Sequence, residues 1–238
     1  MNIAIVGYGK MGKMIQEIAI NRGHMNVRVF DPSIETPLKQ KDLDNIDVAI
    51  EFSTPDSAPQ NYLICFQAGV PVVSGTTGWL SRWDEICKVA ISSNTGFFYS
   101  SNFSLGVNLF FKLNAMLARI MAPQRNYIPH IEEIHHIHKS DAPSGTAITL
   151  AEVLFQENNS LNQWVLNSIG SEHELPIFST REGNVTGTHT VSYVGDIDKI
   201  SIKHEAFKRE GFALGAVLAA EFLNGKEGIY SMNDLLAD

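Results

Sequence analysis

Basic side chains are scarce in this sequence of 238 residues: 18 Lys and Arg stand against 26 Asp and Glu, for a net charge of −8. A surface that neutralises many phosphates has the opposite balance, so extended nucleic-acid binding is not expected. A few local cations and backbone amides can still hold one small anion. Cysteine is nearly absent. Cys65 and Cys87 lie in apolar helical patterns without metal-type spacing, which argues against a disulfide framework and for a reducing compartment. No run approaches the ~18 consecutive apolar residues of a membrane-spanning helix. The opening Met1-Asn2-Ile3-Ala4-Ile5-Val6 reads as a strand, not as an export signal, so a cytoplasmic protein is expected. Repeats, low-complexity tracts and flexible linkers are missing as well.

Hydrophobic residues make up 44% of the chain, enough for a sizeable core in one large or two modest domains. The first hundred residues alternate strand and helix. Strands are expected over Ile3 to Val6, Val27 to Phe30, Ile46 to Phe52, Val70 to Ser74 and Gly96 to Ser100. Helices are expected over Met11 to Arg22, Pro55 to Ala68 and Trp83 to Ser92. This order predicts an α/β, Rossmann-type parallel sheet with helices on both faces. The pattern then changes. Leu105 to Met121 is a long apolar helix with no charge before Lys112, expected to pack against protein on both sides. Ile131 to Ile134, a His-rich loop and a helix from about Gly145 to Gln156 follow. Strands are expected over Leu175 to Arg181, Val185 to Val194 and Lys199 to Phe207. The period-two alternation of Lys199 to His204 fits a half-exposed antiparallel strand. A last apolar helix spans Phe212 to Leu223. The expected layout is a dinucleotide-binding domain over 1–104, completed by 209–238, and an α+β domain with a mostly antiparallel open sheet over 105–208.

Gly7-Tyr8-Gly9-Lys10-Met11-Gly12 is a complete G-x-G-x-x-G between a buried strand and an amphipathic helix. The first glycine makes the turn, the second lets the backbone approach a pyrophosphate, and the third lets helix and strand pack closely. Asp31, nineteen residues after Gly12, ends the second strand, where a carboxylate accepts from the adenosine ribose hydroxyls. NAD(H) or NADP(H) is the expected ligand. Asp31 would repel a 2′-phosphate, Pro32 offers no cation, and Arg28 and Lys39 are not adjacent, so NADH is the expected preference, with NADPH possible. Gly75-Thr76-Thr77-Gly78 and Ser100-Ser101-Asn102-Phe103 follow two further strands and are candidates for holding the nicotinamide carboxamide; as sequence alone they are also ordinary turns.

The stretch from Glu133 to Ala147, EIHHIHKSDAPSGTA, carries the chemistry; with His130 it holds four of the eight histidines. Three readings compete: a metal site, a solvated polar loop, and an acid–base and anion-binding site. Adjacent histidines do not easily aim two imidazoles at one ion, and no Cys or H-E-x-x-H accompanies them, so no metal is expected. The third reading gains from Ser144, Gly145 and Thr146, which would present hydroxyls and free amides at a helix N-terminus. Lys139 adds a charge beside it, and His135 and His136 can exchange protons near neutral pH. A carboxylate-bearing substrate fits that arrangement.

The same residues resemble the dihydrodipicolinate reductase family, whose E-x-H-H-x-x-K-x-D-A-P-S-G-T-A signature runs here unbroken from Glu133 to Ala147. The resemblance spans nearly the whole chain. It includes Gly7 to Gly12, Phe52-Ser53-Thr54-Pro55, Gly75 to Gly78, Asn102 to Asn108, Arg181-Glu182-Gly183, Gly187-Thr188-His189 and Phe212 to Ala216. It implies NAD(P)H-dependent reduction of 4-hydroxy-tetrahydrodipicolinate to tetrahydrodipicolinate with loss of water, on the diaminopimelate route to lysine. By the resemblance His135 is a proton donor or acceptor and Lys139 a second proton donor. His136, Gly145 and Thr146 fall at substrate-carboxylate positions, and Gly7 to Gly12, Asp31, Gly75 to Thr77 and Ser100 to Phe103 at cofactor positions. A homotetramer is implied as well. The chain departs from the family in shortened loops over Asp31 to Asp42, in Thr188 where many members carry Glu, and in Ile137 where a basic residue is common. The alternatives are a dehydrogenase of another small amino or keto acid and a non-catalytic NADH-sensing module.

Overall fold

The computed structural model describes residues 1–24 and 26–237. The chain runs β1 (Asn2–Val6), α1 (Lys10–Asn21), β2 (Asn26–Phe30), β3 (Val48–Glu51), α2 (Ala58–Gln67), β4 (Val72–Ser74), α3 (Trp83–Ser92) and β5 (Gly96–Tyr99). It continues through α4 (Leu105–Met121), β6 (Ile128–His135), α5 (Gly145–Glu157), β7 (Gln163–Leu166), β8 (Glu174–Arg181), β9 (Gly187–Val194) and β10 (Lys199–Ala206). It closes with α6 (Glu210–Leu223), β11 (Gly228–Tyr230) and α7 (Met232–Leu235). Two compact units result: Met1–Leu105 with Glu210–Asp238, and Gly106–Arg209.

In the first unit six strands pair in the order β11-β5-β4-β3-β1-β2, all parallel. Alternate side chains explain the continuous apolar runs. Ile3, Ile5, Ile50, Val73 and Phe98 pack with Ile15 and Ala19 of α1 and with Ala213, Ala216, Val217 and Ala220 of α6. Ala4, Val6, Ala49, Val72 and Phe97 pack on the other face with Tyr62 and Phe66 of α2 and with Ile86 and Ala90 of α3. Gly215 lets α6 lie close to the segment after β5: a Cβ there would stand 1.8 Å from the carbonyl oxygen of Phe103.

The second unit is a five-stranded mixed sheet in the order β10-β9-β6-β8-β7. β9 is antiparallel to both neighbours, whereas β8 runs parallel to β6 and β7. Phe110 and Ala118 of α4 and Leu150 and Leu154 of α5 close a core over Ile131, Ile177 and Val191.

Several sequence expectations move. β7 and β11 are strands that no alternation announces: β7 is an edge of four residues with mostly exposed side chains, and β11 has three residues. β6 extends through His135, so that residue ends a strand and does not belong to the His-rich loop. The expectation that α4 is covered on both sides fails within the chain, because Leu109, Leu113, Met116 and Ile120 form an exposed apolar stripe at helical spacing. Among the described residues no helix is long and apolar enough to cross a membrane.

Candidate functional site

One candidate site lies at the C-terminal ends of the parallel strands of the first unit, where open α/β sheets bind ligands. Gly7 leaves β1 with φ +94°, and a Cβ there would stand 2.2 Å from the carbonyl oxygen of Phe52. At Gly12 a Cβ would stand 2.1 Å from the carbonyl oxygen of Gly7, so helix and turn touch backbone to backbone. Gly9, the N-cap of α1, has open space instead and no side-chain cap. The first amides of α1 therefore face an uncovered point that a pyrophosphate would fill. A cavity of about 450 Å³ continues from Gly9, Lys10 and Met11 to Ser53, Gly75, Thr76 and Thr77.

Asp31 does more than end β2. Its carboxylate accepts from Ser33 N at 2.7 Å and from Tyr8 N at 2.6 Å, tying the acidic residue to the glycine turn. The Ser33 bond first, and the Tyr8 amide next, hold it below the usual carboxylate range, so it is ionised. Arg28, Lys39 and Lys41 line a separate cavity of about 750 Å³, where Glu35, Asp42 and Asp44 accompany them. Under the loops that follow β3 and β4 lies Glu51, which sequence reasoning missed. It is 1% exposed; Thr76 Oγ1 donates to it at 2.8 Å, and the same hydroxyl accepts from Ser53 N at 2.9 Å. Ser53 Oγ also donates to Glu51. Burial pushes the Glu51 pKa up. Thr76 is thereby occupied as a support, while Thr77 and Ser101 are exposed. Ser100 Oγ accepts from Asn102 N at 3.1 Å and shapes the next loop. The Phe103 ring is buried against Phe52 and Phe98, which leaves only its main chain available to a ligand.

Another candidate site is built on the sheet of the second unit. Register aligns Ile177, Ile131 and Val191 across β8, β6 and β9; one row on come Ser179, Glu133 and His189. The apolar row is core, and the next is a buried polar row at the edge of it. Glu133 is fully buried, His189 4% exposed and His135 8% exposed. Glu133 Oε2 contacts His135 Nδ1, and Glu133 Oε1 accepts from Ser144 N at 3.2 Å and Arg181 Nη2 at 3.0 Å. Burial alone would raise the Glu133 pKa; the hydrogen bonds from His135, Ser179 and Arg181 outweigh it and hold the carboxyl well below its usual range. Arg181 also donates to the carbonyl oxygens of Lys139 at 3.2 Å and Asp141 at 2.5 Å, which fixes the loop between β6 and α5. Lys139 Nζ is paired with both Asp141 oxygens at 2.7 Å.

Ser144 is the N-cap of α5, its Oγ accepting from Ala147 N at 3.3 Å and lying 3.0 Å from His189 Nε2. A Cβ on Gly145 would meet nothing within 4 Å, so the first amides of α5 are open to an anion. His136 lies 3.5 Å from Arg209; burial and then that guanidinium push its pKa down. The structure thus gathers His135 and Ser144, with Gly145 beside them, while Lys139 is held by Asp141. Glu133, Arg181 and His189 belong to the cluster although sequence reading gave them no role. Glu133, His135 and His189 each offer a ligand atom within 4.8 Å of the others, a set that could hold a metal ion. His189 is not a sequence neighbour of Glu133 and His135; the pairing of β9 with β6 brings it beside them. The Arg181 guanidinium on Glu133 makes the set less suited to a second cation.

Residues 1–103 match the family model described as "Dihydrodipicolinate reductase, N-terminus", and residues 106–236 match "Dihydrodipicolinate reductase, C-terminus". The chain is 51% identical to the 4-hydroxy-tetrahydrodipicolinate reductase of Christiangramia forsetii, over 100% of this chain and 98% of that protein. It is 37% identical to the protein of the same name from Methanosarcina mazei, over 98% and 88%. Among solved structures, a dipicolinate-bound dihydrodipicolinate reductase from Paenisporosarcina sp. TG-14 superposes with a TM-score of 0.77 over 99% of each chain; at 21% identity the likeness is one of fold.

Proposed function

From the premise that the chain belongs to the dihydrodipicolinate reductase family, we propose how its residues divide the work of that reaction. The protein is an NAD(P)H-dependent reductase that converts 4-hydroxy-tetrahydrodipicolinate to tetrahydrodipicolinate. One hydride and one proton are consumed and one water leaves. The bound nicotinamide supplies the hydride; the protein binds, orients and moves the proton. Residues 1–104 with 209–238 bind the nucleotide, and residues 105–208 bind the dicarboxylate.

The observation that carries this reading is the folding of Glu133 to Ala147 into a strand end bearing His135 next to an uncovered helix N-terminus at Ser144-Gly145-Thr146. The amides and hydroxyls there accept a substrate carboxylate, with His136 as a further partner. His135 supplies a proton to the electron density that hydride addition leaves. Lys139 is the second proton donor, and substrate binding would draw it from Asp141. The glycine turn and Asp31 hold the nucleotide, and Gly75 to Thr77 and the main chain of Ser100 to Phe103 line the nicotinamide. Asp31 is ionised, and the cations of the neighbouring cavity are matched by acids, which supports a preference for NADH.

The test is NADH oxidation, followed through the loss of its absorbance, with the product of dihydrodipicolinate synthase made in situ, and NADPH in parallel. Substrate-dependent oxidation that dipicolinate inhibits, with the higher kcat/KM for NADH, is expected. A dehydrogenase of another small acid is favoured if only other substrates turn over, and a larger kcat/KM for NADPH removes the Asp31 argument.

A further inference from the structure

Glu133 is the point where the proton-transfer and anion-binding parts of the second unit meet. It sits in the row Ser179-Glu133-His189, one residue pair beyond the apolar core, and none of its surface is exposed. Ser144 N–H and Arg181 Nη2 donate to Oε1, and His135 Nδ1 is in contact with Oε2. A carboxylate accepts on both oxygens. A carboxamide of the same shape accepts on only one, so it would have to turn its NH₂ toward a donor. Glu133 Oε2 faces His135 Nδ1 in this contact, and an imidazole set against a carboxylate is best served by a proton on the facing nitrogen. Nε2 is then the nitrogen left to work. Gly187 lies beneath it, and a Cβ at that position would stand 3.0 Å from Nε2.

We propose that Glu133 is the positioning residue of this site: it fixes His135 with the proton on Nδ1 and Nε2 free, and through Ser144 N–H and Arg181 it locks that imidazole to the anion-binding start of α5. The inference rests on the proposed role of His135 as the proton donor. In the step itself, Nε2 first takes up a proton from solvent; His135, then protonated on both nitrogens, gives the Nε2 proton to the substrate and returns to the neutral Nδ1–H ring, while the carboxylate stays ionised. Glu133 makes no contact with substrate; it acts through two groups that do. The competing use of the cluster is a metal centre of Glu133, His135 and His189.

Two measurements decide this. First, ¹⁵N ring shifts of the histidines in the wild-type protein at neutral pH, with H135Q for assignment, are expected to show His135 protonated on Nδ1. An Nε2–H tautomer overturns the proposal, whether or not E133Q folds. Second, E133Q is expected to lower kcat by about 10²–10⁴-fold with a much smaller change in KM, and E133D to recover part of the loss. An E133Q kcat close to that of the wild type overturns it, as does a loss confined to KM. One tightly held divalent ion per chain in purified wild-type protein, lost in H189N, overturns it in favour of the metal centre. If the wild-type protein fails to turn over 4-hydroxy-tetrahydrodipicolinate, the functional reading fails instead, and the ring shifts still decide the role of Glu133.

Discussion

His189 is 4% exposed and lies beside His135; burial first, and then the charge of that neighbour, push its pKa down to about 3. The unfolded chain binds this proton near pH 6.5. Above that pH neither state is protonated there and the full stability is present. As pH falls from 6.5 toward 3 the unfolded state takes up the proton and the folded state does not, so stability declines. The effect is of the order of a few kcal/mol over that window. Urea midpoints at pH 7 and pH 4.5 should therefore fall further apart for the wild type than for H189N; equal separations would mean that His189 is not held neutral. At this scale the sequence told part of the story. His135, Lys139 and Ser144 were legible as candidates because the motif is local, although the structure pairs Lys139 with Asp141. Glu133, Arg181 and His189 were not, because what makes them one cluster is the pairing of β6 with β8 and β9, whose registered partners such as Ile131 and Ile177, or Glu133 and His189, are far apart in sequence. For Glu51 the missing signal was similar: only the packing of two loops over it turns a strand-end acid into a support.

Helix α5 joins packing to binding. Its inner face, Ala147, Leu150, Ala151 and Leu154, is fixed in the core, and its first turn is left open by Gly145. Ser144 caps that turn through Oγ and anchors it through its own N–H to Glu133. S144A is expected to cost about 1 kcal/mol, seen as a Tm lower by about 2–4 °C, and to weaken binding of dipicolinate measured by calorimetry. An unchanged affinity would remove Ser144 from the carboxylate site. The start of α1 is the counterpart in the first unit, and it was readable in full. Glycine at 7 and 12 is required by backbone contacts within one turn, so the G-x-G-x-x-G spacing carries the geometry by itself. Elements with no internal pattern were unreadable: β7 and β11 are strands only because β8 and β5 stand beside them.

At the level of the whole molecule, α4 presents Leu109, Leu113, Met116 and Ile120 to solvent, and Ile128, Val194 and Ile200 are exposed on the second unit. Isolated apolar side chains need no explanation, but a stripe along about three turns of one helix is a candidate association surface. The homotetramer that the resemblance implies predicts a mass four times that of the chain in sedimentation equilibrium at micromolar protein; a monomer at that concentration would refute the assembly. The sequence by itself determined the alternation of strand and helix, the glycine turn with Asp31, and the EIHHIHKSDAPSGTA stretch, because each depends on residues close together along the chain. Strand order, the mixed pairing of the second sheet, the burial of Glu133 beneath His135 and the inclusion of α6 in the core of the first unit were decided only by tertiary structure. Those features join residues distant in sequence, and hydrophobic patterning says that a face is buried without saying against what.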